Sequence, residues 1–277
     1  MHTRSSLRFS LKLLLVAGMA VGVLLAGSLT TKATIGTSTL GIDISLAPGN
    51  STSASFVITN GNAEATEIEI EIVDFERDIN GAVQILPPNS IEESLVEFIS
   101  VASDRITLDP GEGSTERIQF SINLPENEAG PHWALMLVRE VIPDDDSGGG
   151  PGAVGEIGLQ FGIQIRQEDS TSLDNDGRIL DVDVQFPEDD NPLQVIADYE
   201  NVGTTFQHAS GELRIVDNAG NIVVQIEIAP FRTLPGRTRR LVVDVLESLP
   251  AGEYLALAII DFDADFLLAG QARFRIP

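Results

Sequence analysis

The chain has 277 residues, with 42 Asp and Glu against 17 Lys and Arg and a formal net charge of −25. A surface this acidic repels phosphate backbones, which excludes nucleic acid as a partner. There is no cysteine, so packing alone, without disulfides or thiolate metal sites, has to hold the fold.

The amino terminus is basic (His2, Arg4, Arg8, Lys12) and runs into an uninterrupted apolar stretch, Leu13 to Leu25, with no acidic residue before Asp43. That run is short for a membrane span and suits a signal peptide over residues 1–33, cleaved after Ala33 or, alternatively, after Ser28. An uncleaved anchor is the competing reading. No cysteine follows the run, which excludes a lipid anchor. The remaining chain is expected to be exported to the periplasm or cell surface and not to be an integral membrane protein once processed. Both lysines, Lys12 and Lys32, lie in the removed segment, so every later basic residue is Arg.

Beyond residue 33 the pattern has period two and is punctuated by Gly, Pro, Asn and Asp, which predicts strands throughout. In the first half these are "STSASFVITN", "EATEIEIEIVDF", "SLVEFISV", "STERIQFSIN", "HWALMLVREV" and "GEIGLQFGIQIR". In the second, Ile68, Ile70 and Ile72 face a core while Glu67, Glu69 and Glu71 face water. A Gly-rich stretch, residues 143–155, reads as the flexible tip of a hairpin. The second half offers "GRILDVDVQF", "LQVIADYEN", "ASGELRIVD", "NIVVQIEIA", "TRRLVVDVLE", "EYLALAIIDF" and "AGQARFRI". The predicted fold is all-β: two tandem immunoglobulin-like β-sandwiches over residues 34–167 and 178–277, joined by a polar linker, 168–177.

The two halves repeat one another. "LDPGEGSTERIQFSINLPENEAGPHWALMLV" and "LPGRTRRLVVDVLESLPAGEYLALAII" share a Pro-Gly turn, an alternating strand, a Leu-Pro corner, Ala-Gly, and then a strand carrying Trp133 or Tyr254. "FVITNGN" and "ADYENVG" correspond in the same way. An offset of roughly 125 residues is too long for a solenoid and means two related domains.

The stretch "SLVEFISVASDRITLDPGEGSTERIQFSINLPENEAG" resembles the late part of the first domain of PapD-like pilus chaperones. Its continuation, "HWALMLVREVIP…GEIGLQFGIQIR", is also similar to WxL-interacting cell-surface proteins. The resemblance implies an exported, chaperone-like protein that engages a protein partner in the cell envelope, a pilin-like or surface protein. It also implies a last strand that lends apolar residues to an incomplete partner domain, and a cleft between domains where Arg and Lys hold a partner's terminal carboxylate. The chain departs from that pattern: no lysine follows Lys32, and "TSTLGIDISL" carries no Arg.

No catalytic constellation is legible. After His2 only His132 and His208 remain, too few for a His-rich metal site, and "SGGGPG" lacks the Lys and helix of a phosphate loop. The reading is a non-enzymatic protein without cofactor. Asp174 and Asp176 in "SLDNDGRILDVD" and Asp261 and Asp263 in "DFDADF" are weak metal candidates, since the ligand set is incomplete and no helices flank it. A calcium-dependent envelope protein and a surface adhesion or scaffold module binding a wall component are the alternative functions. The strand "GEIGLQFGIQI" places Ile157, Leu159, Phe161 and Ile163 on one face and Gly158, Gln160, Gly162 and Gln164 on the other. Its apolar face either fills its own core or serves a partner, and its uncharged edge invites strand addition. Arg117, Arg237, Arg239 and Arg240 complete the candidate partner-binding residues: the last three, with Arg232 in the same stretch "FRTLPGRTRR", either grip an acidic partner or balance local charge.

Overall fold

The computed structural model describes residues 35–111, 113–141, 160–187 and 192–277. The expected signal segment 1–33, the hairpin tip 143–155, and the candidates Ile157 and Leu159 lie outside the described residues. Alternation of apolar and polar side chains yields strands almost everywhere. Ten come from the first half: β1 (Ile35–Thr37), β2 (Gly41–Ser45), β3 (Ser51–Asn60), β4 (Thr66–Arg77), β5 (Val83–Leu86), β6 (Ile99–Val101), β7 (Arg105–Leu108), β8 (Ser114–Asn123), β9 (His132–Glu140) and β10 (Gln160–Glu168). Seven come from the second: β11 (Gly177–Gln185), β12 (Leu193–Asn201), β13 (Gln207–Asp217), β14 (Ile222–Thr233), β15 (Thr238–Val245), β16 (Gly252–Asp261) and β17 (Leu268–Ile276). Among the described residues no helix is long and apolar enough to cross a membrane.

The sheets pack as two immunoglobulin-like sandwiches. In the first, a sheet ordered β1-β3-β8-β6 faces one ordered β2-β10-β9-β4-β5, with β7 paired to the start of β4. In the second, β11-β12-β15 faces β14-β13-β16-β17. The shared plan is visible in the pairs: β3 with β8 and β12 with β15 on one side, β4 with β9 and β10 on the other, as β13 with β16 and β17. Phe56, Ile58, Ile68, Phe120, Ile122, Met136 and Ile165 fill the first core, and Leu213, Ile215, Tyr199 and Ile260 belong to the second.

The repeated phrases do the same work in each sandwich. Asn60 and Asn201, each the last residue of its strand, are fully buried. Asn60 donates to the carbonyls of Glu64 (3.0 Å) and Asp109 (2.9 Å) and accepts from Asn62 N–H. Asn201 donates to Thr205 O (2.8 Å) and accepts from Gly203 N–H. The backbone oxygen of each asparagine takes a bond from the Pro-Gly turn before the next long strand, from Gly113 and Gly236 respectively. Tyr254 Oη closes the Leu-Pro corner on Pro250 O at 2.8 Å, the tyrosine corner of such sandwiches.

Trp133 does not match Tyr254, contrary to the sequence alignment. Two residues separate Gly130 from Trp133, but one separates Gly252 from Tyr254. Side chains alternate with period two, so one extra residue turns the indole to the opposite face. Tyr254 points into its own core, whereas Trp133 joins a separate cluster outside the first core. A second correction concerns "SLVEFISV", expected as a strand: Val96–Phe98 is a 3-10 turn and only Ile99–Val101 is extended. Leu95 is fully buried, its N–H bonds Trp133 O, and Phe98 N–H closes back on Leu95 O. Tying the segment to the end of β9 overrides its alternation.

Removing either buried asparagine leaves backbone groups without partners. Asn60→Ala should destabilise the protein by about 3 kcal/mol and Asn201→Ala by about 2 kcal/mol, at the cost of a few orphaned groups each. Urea unfolding checks this; values near zero for both would mean that neither asparagine holds its corner.

Candidate functional site

The strand singled out by sequence, β10, is inside its sheet over one half and at its edge over the other. On one side it pairs antiparallel with β9 from Gln160 to Gln167. On the other it pairs in parallel with β2, but only from Gln164 to Glu168. Gln160 to Ile163 thus have a single neighbour among the described residues. The expectation of an open edge along the whole strand is corrected accordingly: the first strand of the fold divides, β1 joining β3 and β2 crossing to β10. Gln164 N–H donates to Leu40 O on the β2 side (3.0 Å). By the two-residue alternation of strand backbones, the polar groups of Gly162 and Gln160 face the open side. Ile163 and Ile165 are fully buried in the first core and Phe161 packs against it, so these side chains serve their own domain. Gln160 is exposed, and Gly162 lies beneath Leu135, whose Cδ1 would sit 2.7 Å from an added Cβ.

What lies beside that edge is set by the outward face of β4 and β9. Val73, Phe75, Trp133, Leu135 and Leu137 cluster there with Leu234 and Phe206 of the second sandwich. Trp133 Nε1 donates to Phe75 O (2.9 Å), and its ring meets Phe206 edge-on at 5.8 Å. Arg237 lies over the other side of the indole, 5.3 Å from its centre. Its guanidinium binds Glu76 (2.6 Å) and Glu93 (3.1 Å) of the first sandwich. These bonds, Glu76 foremost, raise the Arg237 pKa against the effect of burial. Phe206 N–H donates to Glu168 Oε1 (2.9 Å) and Arg240 N–H to Ile79 O (2.7 Å), adding two polar ties across the junction. Leu234 and Arg237 both belong to the Pro-Gly turn of the second repeat, so that turn is the docking element.

Between the sandwiches, near β10, is a cavity of about 120 Å³ lined by Asp43, Arg77, Gln164, Arg166, His208 and Arg232 among others. Arg166 is buried and forms a two-point ion pair with Asp43, 2.5 and 3.0 Å, across β2. Gly41 makes this possible: an added Cβ would stand 2.9 Å from Arg166 Nη2. Gln164 Oε1 accepts from both Arg166 Nη1 and Arg77 Nη2, each at 3.0 Å. Burial, followed by the charges of Arg166, Arg232 and Arg239, holds the Arg77 pKa below its ordinary value. The first strand therefore contributes an acid, Asp43, where the resemblance implies a cation, and the cleft cations come from β4, β10 and the second sandwich.

The remaining candidates are dispersed. Arg117 is exposed on β8, in the sheet that lacks β10, and donates to Ser55 Oγ. Arg240 pairs with Asp198 on the adjacent strand (2.7 Å), which lowers the Asp198 pKa. Arg239 packs on Gly81 of the first sandwich. Asp174 and Asp176 use backbone carbonyls to hold Val202 to Thr205; Asp261 Oδ1 accepts from Asp263 N–H. Among the described residues no three His or acidic side chains group as metal ligands. Sequence reasoning missed Arg77, Arg166 and His208 as members of this site. The available signal was an Arg ending an apolar alternating strand, as Arg77 follows Phe75 and Arg166 follows Ile165.

Arg237→Ala strands two partly buried carboxylates and uncovers the indole. Loss of one partner from such a pair costs about 3 kcal/mol when buried and less here because of partial exposure. Urea unfolding should show a loss of about 2 kcal/mol, and Arg237→Lys should recover less than half of it, since one ammonium cannot fork onto two carboxylates. Calcium or a chelator should leave the melting temperature unchanged; a rise with calcium that Asp176→Ala abolishes would reinstate the metal reading.

No protein-family model matches the chain, and no curated protein does. Solved structures match over most of its length. The class 5 fimbriae chaperone CfaA has 11% identity, coverage of 88% of this chain and 100% of that one, and a TM-score of 0.47. The E. coli chaperone DraB has 12% identity, coverage of 88% and 97%, and a TM-score of 0.40. The Pseudomonas aeruginosa CupB2 chaperone has 9% identity, coverage of 87% and 100%, and a TM-score of 0.38. The structural neighbours of this chain are PapD-like fimbrial chaperones.

Proposed function

We propose that the protein is an exported, non-enzymatic binding or assembly protein of the chaperone-like kind. It takes an extended segment of a protein partner on the open edge of β10, beside the cleft between its sandwiches. One observation carries this reading: among the described residues, Gln160 to Ile163 are paired on one side only, while the same strand is closed by β2 immediately afterwards. An added strand would extend the sheet in line with β2, bonding the outward groups of Gln160 and Gly162. The segment carries no charge, and charge is the usual guard of an edge. Exposed Leu40, at the head of β2, offers apolar area where the guest strand would end. The backbone of β10 gives affinity, and the cleft wall of Arg77, Arg166, Gln164 and His208 gives orientation. Export rests on the basic start and the apolar run Leu13 to Leu25.

A photoreactive side chain at position 40, exposed beside the open edge and introduced in the native envelope, should crosslink to a partner protein. The same group at Ser55, on the opposite sheet, should not. Gln160→Lys, which guards the edge without touching the core, should cut capture at least tenfold. Gly162→Pro is a poorer probe because any Cβ there meets Leu135. Capture unchanged by Gln160→Lys, or equal from position 55, would defeat the reading.

A further inference from the structure

A second, larger pocket of about 290 Å³ opens on the far side of Arg77, lined by Arg77, Gly81, His208, Phe231, Arg232 and Arg239 among others. Three guanidiniums meet there in a chain with 42 acidic and 17 basic residues. None of the three has an ion-pair partner within 4.0 Å among the described residues. Arg77 reaches only neutral acceptors, Gly81 O (2.9 Å) and Gln164 Oε1. Arg239 reaches none: its Nε and Nη1 are buried without a hydrogen-bond partner. Buried guanidinium donors left unmade are costly.

The arrangement is built. Gly81 sits at φ 85°, and a Cβ on it would fall 1.3 Å from Arg239 Nη1, so the turn between β4 and β5 is shaped around this guanidinium. Burial, only partly opposed by the charge of Asp78, lowers the Arg239 pKa. Repulsion among Arg77, Arg166, Arg232 and Arg239 adds to the burial that lowers the Arg77 pKa. Arg166 is already answered by Asp43. The charge of Asp78 acts on Arg239, and among the described residues no carboxylate pairs with Arg77 or Arg232, which leaves two positive charges without a paired counter-charge.

We propose that this pocket binds a small tetrahedral oxyanion carrying two negative charges, of the phosphate or sulfate class, with the guanidiniums of Arg77, Arg232 and Arg239 that line it as its donors. A single carboxylate would answer only one of the two charges and present two oxygens to a three-sided set of donors. Guanidinium forks suit such oxyanions. Arg77 and Gly81 belong to the first sandwich, and His208, Arg232 and Arg239 to the second, so the anion would brace the junction. The pocket shares Arg77, His208 and Arg232 with the cavity beside β10, but anion binding there requires no strand pairing at β10.

The test is thermal unfolding and calorimetry of the full chain with inorganic phosphate, sulfate or acetate, chloride being adjusted to constant ionic strength. Phosphate and sulfate should raise the melting temperature saturably, as binding to the folded state requires, and acetate should bind at least tenfold more weakly. Arg239→Gln and Arg232→Gln should each weaken phosphate at least tenfold, while Arg105→Gln, on the exposed edge of the first sandwich, should not. Arg232 is exposed, so its variant keeps the test available if Arg239→Gln fails to fold. The proposal is overturned if chloride alone reproduces the rise, which is screening, if acetate matches phosphate, or if Arg232→Gln binds phosphate as the parent does.

Discussion

The two-sandwich arrangement depends on one contact, the Arg237 guanidinium held between an indole and two carboxylates. Trp133 is turned out of its own core and would be a large apolar liability if left uncovered. Leu234 and Phe206 cover it from beside, and Arg237 covers it from above while pairing with Glu76 and Glu93. Apolar burial gives the junction its strength without direction; the forked ion pair supplies direction. In so acidic a chain, Glu76 and Glu93 would otherwise repel one another on the face of the first sandwich. The cleft, the cavity beside β10 and the arginine pocket all inherit their shape from this fixed angle.

The chain's dependence on Arg follows from the same geometry. Arg166 spans β2 to reach both oxygens of Asp43, Arg240 does so with Asp198, and Arg237 forks onto two different acids. A planar set of donors fits each case, and an ammonium fits none. Even the short range of screened electrostatics suffices, since every pair spans adjacent strands or a packed junction.

The fold was largely legible because its period-two signal is strong and half of each sheet is buried. Strands such as Ser51–Asn60, Ser114–Asn123 and Leu193–Asn201 coincide with their sequence signatures. The failures share one cause, a long-range contact that outweighs local pattern. "SLVEFISV" alternates, yet Leu95 is pinned to the end of β9. Trp133 looked equivalent to Tyr254 until the inserted residue reversed its face. The cluster Arg237, Arg239 and Arg240 read as one feature, but its members go to Glu76 and Glu93, to Gly81, and to Asp198. Arg77 and Arg166 were invisible as a pair because 89 positions separate them in the chain, and only the order β10-β9-β4 brings them to one face.

The division of the first strand between two sheets has a mechanical consequence. β2 acts as a ruler: among the described residues it leaves four residues of β10 uncovered, about 13 Å of backbone at the usual rise per residue. Under the proposed strand addition, a guest that fits this gap would dock without disturbing the host. A longer guest must peel β2 from Gln164 onward, and each step breaks one native bond as it makes one foreign bond, until the Arg166–Asp43 pair stops the exchange. Such a competition resembles strand displacement in a duplex, with a short open foothold setting how fast exchange begins and a charged clasp setting where it ends.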